Sequence, residues 1–253
     1  MNKIRVVNNE IIPCDYSDIS IVNNEISFLN SGNFAIEYID CNDVNLNIIV
    51  KENTHVCLFV YSNNDYITTM NKYNIFGNLV VNKFYYNNNN TDETINVNLS
   101  KDKANFKYNF SSVSSGNDKF TINIYHLKKD TCSDICNRTV AKENSSNVFD
   151  INSYVENGIL DTYLNQQTKI VTLGDSNNKI NPNMFIGEAS TTGIHSSTIG
   201  TINEEDIFYL MSRGIDYETA IKLIIKGMII SNINPDMEYR EKILELLNDL
   251  GGE

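Results

Sequence analysis

A mostly β chain, wound as a solenoid and followed by a small C-terminal helical domain, is the architecture this sequence predicts. Three observations lead there. Short β-type runs recur about every ten residues from roughly residue 18 to 200, the signature of a succession of half-buried strands. The dipeptides that build two-residue hairpins are scarce among those runs, while Asn punctuates nearly all of them. Beyond residue 200 the apolar spacing changes from a period of two to that of a helix.

The β runs come in order as "EISFLN" (25–30), "FAIEYID" (34–40), "VNLNIIV" (44–50), "HVCLFVY" (55–61), "NFKYNFSSV" (105–113), "FTINIYHL" (120–127) and "VFDINSYV" (148–155). In "VNLNIIV", Val44, Leu46, Ile48 and Val50 recur at every second position, as a strand with one buried face requires. This rhythm fits an antiparallel sandwich or a solenoid of stacked coils. Only "SGN" (31–33), "FGN" (76–78) and "SGND" (115–118) resemble hairpin turns, and Asn tolerates the left-handed backbone of sharp coil corners, so the balance leans to the solenoid. No strict repeat motif is visible. "YYNNNNTDET" (85–94) reads as a solvated, low-complexity loop.

The helical tail is set out by its caps. Asn203 offers an N-cap, and Glu204, Glu205 and Asp206 suit the positive end of the helix dipole. Ile207, Leu210 and Met211 share a face with Phe208 beside them, and Gly214 is a C′ residue. Asp216 caps a second helix whose stripe is Ala220, Leu223, Ile224 and Gly227. Asn234-Pro235 opens a third, with Pro at its first position, an apolar face of Tyr239, Ile243, Leu246, Leu247 and Leu250, and a stop at Gly251-Gly252. Two domains are therefore expected, 1–200 and 201–253.

Composition narrows function. With 20 basic against 32 acidic residues the net charge is −12, which repels nucleic acid and anionic membranes. No apolar run is long enough to span a bilayer, and the N-terminus has no apolar core for a signal peptide, so the expected setting is the cytoplasm. Five unevenly spaced cysteines agree with a reducing compartment.

Candidate chemistry is sparse. "LGDSNNK" (173–179) lacks the second Gly and the hydroxyl of a phosphate-cradling loop, so no nucleotide is expected on this chain. Cys132 and Cys136 form a C-x-x-x-C pair with His126 six residues upstream, a donor set suited to zinc or iron, though buried free cysteine is the commoner use. His195, in the polar run before the helical switch, is one of only three histidines. A second function class is a stand-alone β-helix that binds or cleaves carbohydrate. No pair of carboxylates stands out for it.

The run His195-Ser-Ser-Thr-Ile-Gly200, followed by "TINEEDIFYLMSRGI" (201–215) and "AIKLIIKGM" (220–228), resembles the C-terminal signature of the SufB/SufD family, scaffold subunits of iron–sulfur cluster assembly. Upstream, "HLKKDTCSDICNRTV" (126–140), "VFDINSYV" (148–155) and "DTYLNQQTKIVTLGD" (161–175) are similar to the family's central coils. The resemblance implies a right-handed parallel β-helix and a non-catalytic scaffold. It implies that the tail docks a SufC-like ABC ATPase through Phe208, Tyr209, Leu210, Arg213 and Gly214, an aromatic and guanidinium cluster of the kind binding hot spots use. It also implies that the last strands pair with a second SufB/SufD-type subunit, alike or different. His195 aligns with the histidine of SufD-type subunits at that interface, where a transient iron–sulfur cluster or iron would meet it. Thr168 stands where SufB-type subunits carry an essential cysteine, so the chain reads as SufD-like, and a partner must supply thiolates. Full-length members carry a substantial region before the β-helix, whereas this sequence starts almost inside it, which points to a short member.

Overall fold

Alternation of side chains in and out of a pleated sheet organises almost the whole of the chain. A computed structural model describes residues 1–14, 16–87 and 89–250. Its first strands are β1 (Asn2–Val7), β2 (Glu10–Ile11), β3 (Ile19–Val22), β4 (Glu25–Phe28), β5 (Gly32–Ile39), β6 (Asp43–Val44), β7 (Asn47–Val50) and β8 (His55–Ser62). Longer strands follow: β9 (Ile67–Ile75), β10 (Asn78–Asn87), β11 (Thr91–Leu99), β12 (Asn105–Ser114) and β13 (Asn117–His126). The last five are β14 (Cys132–Ala141), β15 (Ser146–Val155), β16 (Tyr163–Thr172), β17 (Asn177–Ile186) and β18 (Thr192–Gly200). Three helices then follow, α1 (Glu204–Ser212), α2 (Tyr217–Ile233) and α3 (Met237–Leu246).

The strands alternate between two sheets, ordered β18-β16-β14-β12-β10-β8-β5-β1-β2 and β17-β15-β13-β11-β9-β7-β4-β3. This is a parallel β-helix flattened into two walls. The sandwich reading falls, because β5 and β7 through β18 pair in parallel, and antiparallel pairing among the described residues is confined to β1–β2 and β3–β4. Coils stack in register: Asn78 pairs with Asn105, Asn105 with Cys132, Cys132 with Tyr163 and Tyr163 with Thr192.

The three glycine-bearing turns seen in the sequence are connections between walls rather than hairpins. At Gly116 a Cβ would sit 2.0 Å from the Asn89 carbonyl oxygen, and at Gly77 2.5 Å from that of Lys51. The stacked backbone leaves no room for a side chain there. Left-handed backbone falls mostly on Asn and Asp, among them Asn23, Asn53, Asp130, Asn144 and Asp161.

In-phase stacking builds columns along the lumen. One runs Phe34, Leu58, Val81, Tyr108, Ile135, Gln166 and His195. Aromatics pack in the same core, among them Phe110 and Phe120, whose ring centroids lie 4.8 Å apart, and Phe120 stacks on Phe149 at 4.7 Å. The ends of "YYNNNNTDET" belong to β10 and β11 rather than to a solvated loop: Tyr85, Thr91 and Glu93 point inward and are buried, while Asn89 and Asn90 between the strands are exposed. Glu93 is paired with Lys83, both sealed inside the lumen, and the Lys83 ammonium lies 4.2 Å from the centre of the Tyr85 ring. Desolvation pulls the Lys83 pKa below its ordinary value while Glu93 opposes it.

The helices lie on the outer face of the first wall. Ala35, Phe59, Phe84, Val113, Val140 and Val171 form one apolar layer with Ile225, Ile229, Ile233, Tyr239 and Ile243. The buried α2 residues are therefore Ala220, Ile225, Ile229, Ile230 and Ile233, whereas Leu223 is exposed: with six isoleucines spread around the helix, local spacing did not single out the docking face. Asn203 and Asp216 cap α1 and α2 as expected, accepting from the Glu205 and Thr219 amides. α3 starts later than Pro235 suggested. Asn234 is left-handed and ends α2, and Asp236 is the N-cap, accepting from the Tyr239 amide. The Gly251-Gly252 stop lies outside the described residues.

Candidate functional site

The two ends of the solenoid differ. At the first, the β1–β2 and β3–β4 hairpins fold over the stack. At the second, β17 and β18 are the last strands of their walls, and β18 is exposed along all but its final residue. Its exposed apolar side chains are Ile194 and Ile199, joined by Phe185 and Ile186 of β17. Among the described residues their outer main-chain edges lack a neighbouring strand, which makes them a template for pairing with another chain.

His195 sits on this open coil. In register it continues the inward column above Gln166, and it is exposed because no further coil covers it. Gly193 beside it accommodates the end of the lumen: a Cβ there would lie 3.0 Å from both Met184 Sδ and Ile186 Cδ1. Thr168, one inward position along from Gln166, is buried, and its hydroxyl oxygen accepts from Asn137 Nδ2 at 3.0 Å. Its register mate is Ser197. The last coils thus have a polar lumen of amides and hydroxyls, and two of its buried oxygens, Gln166 Oε1 and Asn137 Oδ1, have no partner. Of this cluster only Thr168 stands out in the sequence. Reading "YLNQQTKIVT" with a period of two would have found it, since Leu164, Gln166, Thr168 and Ile170 all face inward.

The cysteine pair does not converge. Cys132 and Cys136 lie four residues apart on one strand, placing them roughly 13 Å apart at 3.3 Å per residue. Both face outward. His126 faces the lumen, hydrogen-bonded to the Thr131 and Ser133 hydroxyls at 2.8 and 3.0 Å. Burial pushes the pKa of both thiols up, which keeps them protonated. Among the described residues no group of three or more His, Cys, Asp or Glu side chains could hold a metal ion.

Outside the second wall, Tyr125, Tyr154 and Phe185 stack face to face with centroids 4.9 Å apart.

The helical tail presents a second surface. Ile207 anchors α1, while Phe208 and Tyr209 are 74% and 58% exposed, and Tyr217 of α2 is also exposed. Arg213 lies over the Tyr209 ring at 5.4 Å, Leu210 is half-buried, and Gly214 ends the helix at φ +87°. The helices run back along the solenoid. α1 lies near Leu173 in the late coils, α2 donates from Asn232 Nδ2 to the Phe110 carbonyl at 2.9 Å, and α3 reaches β5 through a hydrogen bond from the Tyr239 hydroxyl to Glu37 at 2.9 Å. Lys3 and Lys242 pair with Glu238, and Arg5 and Lys242 with Glu37, so the tail is fastened to the first coil. No helix of the described residues is long and apolar enough to cross a membrane.

Residues 26–228 match the family model described as SUF system FeS cluster assembly, SufBD core domain. Over 118 residues, 46% of this chain and 27% of the relative, it is 29% identical to iron–sulfur cluster assembly protein SufD of Bacillus subtilis. Over 110 residues, 40% of this chain and 47% of the relative, it is 33% identical to an iron–sulfur cluster assembly SufBD family protein of Galdieria sulphuraria. A 35-residue stretch, 14% of this chain and 8% of the relative, is 54% identical to a SufBD family protein of Pyrococcus horikoshii. The matches thus span less than half the length of these curated relatives.

Proposed function

Because the chain belongs to the SufBD core domain family of the SUF iron–sulfur cluster assembly system, we propose that it is a non-catalytic scaffold subunit whose open solenoid end pairs with a second SufB/SufD-type subunit. The uncovered β17–β18 coil carries this reading: two full-length edge strands with exposed apolar side chains end in a position where His195 would face the partner. Iron or a nascent cluster is the cargo of that interface. One imidazole and neighbouring hydroxyls cannot hold a cluster alone, so the thiolates come from the partner. Thr168, a hydroxyl where SufB-type subunits place a cysteine, supports the SufD-like assignment.

The exposed Phe208, Tyr209 and Arg213 support a second contact, with a SufC-like ABC ATPase. Since the tail runs from the late coils back to β5, force applied to α1 and α2 is borne by the wall to which they are packed. Nucleotide-dependent movement of the ATPase would bias the paired coils between two arrangements.

The test is anaerobic reconstitution with iron and sulfide in the presence of the ATPase and a SufB-type subunit. Wild type is expected to form a complex that acquires cluster absorbance. His195→Ala should assemble yet lose that absorbance, and a Phe208→Ala/Arg213→Ala double variant should lose the ATPase. Retention of both would overturn the proposal.

A further inference from the structure

We propose that Gln166 is a positioning residue for His195: its side-chain carbonyl accepts a hydrogen bond from one imidazole nitrogen, leaving the other as a free lone pair at the uncovered end of the lumen. Gln166 is 1% exposed. Its Nε2 donates to Ser153 Oγ at 2.8 Å and to the Asn183 backbone carbonyl at 3.2 Å. A backbone carbonyl can only accept, so the amide cannot be turned over without losing that bond. Oε1 is thereby fixed as the acceptor, and it has no donor. A buried orphan of this kind is destabilising, and a fold retains it where the group has a use.

The column places the use above it. Below Gln166 the register partners are Ile135 and Tyr108, then Val81 and Leu58. Directly above is His195, in parallel register, on the same face, in the next strand at roughly 4.8 Å. It is exposed, so its ring can turn inward at little steric cost. An imidazole that donates one N–H to a fixed acceptor is held in a single tautomer, and the hydrogen bond raises the basicity of the opposite nitrogen toward a metal. The positioning role rests on the reading of His195 as the cargo-facing group, whereas the hydrogen bond itself is tested without any cargo.

The chain has three histidines, so ¹⁵N-histidine labelling gives three imidazole signals, and His195→Ala assigns the one that matters. In wild type above the imidazole's titration, one tautomer of His195 is expected to dominate. Gln166→Met should change the tautomer ratio roughly fivefold toward that of free imidazole, as a net hydrogen bond of about 1 kcal/mol requires. Ser153→Ala, which removes one of the two restraints on the amide, should move the ratio partway in the same direction and keeps the test available if Gln166→Met does not fold. An unchanged ratio in the variants, or a free-imidazole ratio already in wild type, overturns the assignment whatever reconstitution gives. A shifted ratio together with cluster formation that ignores His195→Ala would keep the hydrogen bond and discard the cargo role.

Discussion

The two ends of the solenoid meet the same physical problem and answer it differently. An exposed strand edge invites pairing with other chains. At the first end the edge strands are short, β2 with 2 residues and β3 with 4, and each turns back as an antiparallel hairpin. At the last end β17 and β18 run to 10 and 9 residues with their edges bare. One register column changes in parallel, from Phe34, Leu58 and Val81 in the early coils to Gln166 and His195 in the last, while the buried Lys83–Glu93 pair lies in the earlier coils. Closure by hairpins favours stability. A bare edge above unsatisfied amides favours a partner, at a cost that the closed coils must cover.

The comparison can be broken most forcefully in the closed half. Lys83→Met leaves Glu93 in the lumen without its cation, and should lower unfolding free energy by about 3 to 5 kcal/mol, with Lys83→Met/Glu93→Leu recovering most of the loss. Denaturant unfolding decides it; a single variant as stable as wild type would show that the interior there is wet.

Acid titration sharpens the contrast next. Desolvation holds the His126 pKa down to about 4 against an ordinary 6.5, so the unfolded chain takes up a proton that the fold excludes, and stability falls as pH drops from 6.5 to 4. Desolvation also raises Asp118 to about 6 from 3.8, despite a hydrogen bond from the Thr91 amide that lowers it, so its contribution falls as pH rises from 3.8 to 6. The slopes oppose each other. Asp118→Asn should uncover the histidine's, with a loss on the order of 3 kcal/mol between pH 6.5 and 4. His126→Gln should instead make the protein more stable at pH 4 than at pH 7. Unfolding curves across that range report both.

The tail clamp is a smaller effect. Burial pushes the Glu37 pKa up, but the Tyr239 hydroxyl and Lys242 outweigh it and hold the carboxyl below its usual range. Its stabilisation is therefore present above pH 4.5 and lost as pH falls through the lowered value. Glu37→Gln should cost about 1.5 to 3 kcal/mol at neutral pH. Amide exchange should speed up in α3 well before it does in β12.

The smallest stability change is expected at the open end. Ile194→Lys/Ile199→Lys should alter unfolding free energy by no more than about 0.5 kcal/mol, since both side chains are already exposed. It should nonetheless abolish pairing with a second subunit in light scattering. Unimpaired pairing would move the interface elsewhere.

The strands, the switch to helix after residue 200 and the Asn203 and Asp216 caps were legible in the sequence, because pleat alternation, helical spacing and capping are decided within a few residues of one another. Sequence alone determined that this chain is β first and helical after, with a histidine at the junction. Only the tertiary structure decided what those parts face. Gly116 and Gly77 looked like hairpin turns, and became wall-to-wall corners because the clashing carbonyls belong to the coil stacked against them. Cys132 and Cys136 looked like a ligand pair until a strand held them apart. Gln166 is one polar letter among several in "LNQQT" (164–168), and its orphaned oxygen arises from Ser153 and Asn183 on the opposite wall, which hold its amide nitrogen, and from the last coil above it. Stacking register and burial join residues a full coil apart, and no local rule of the chain reaches that far.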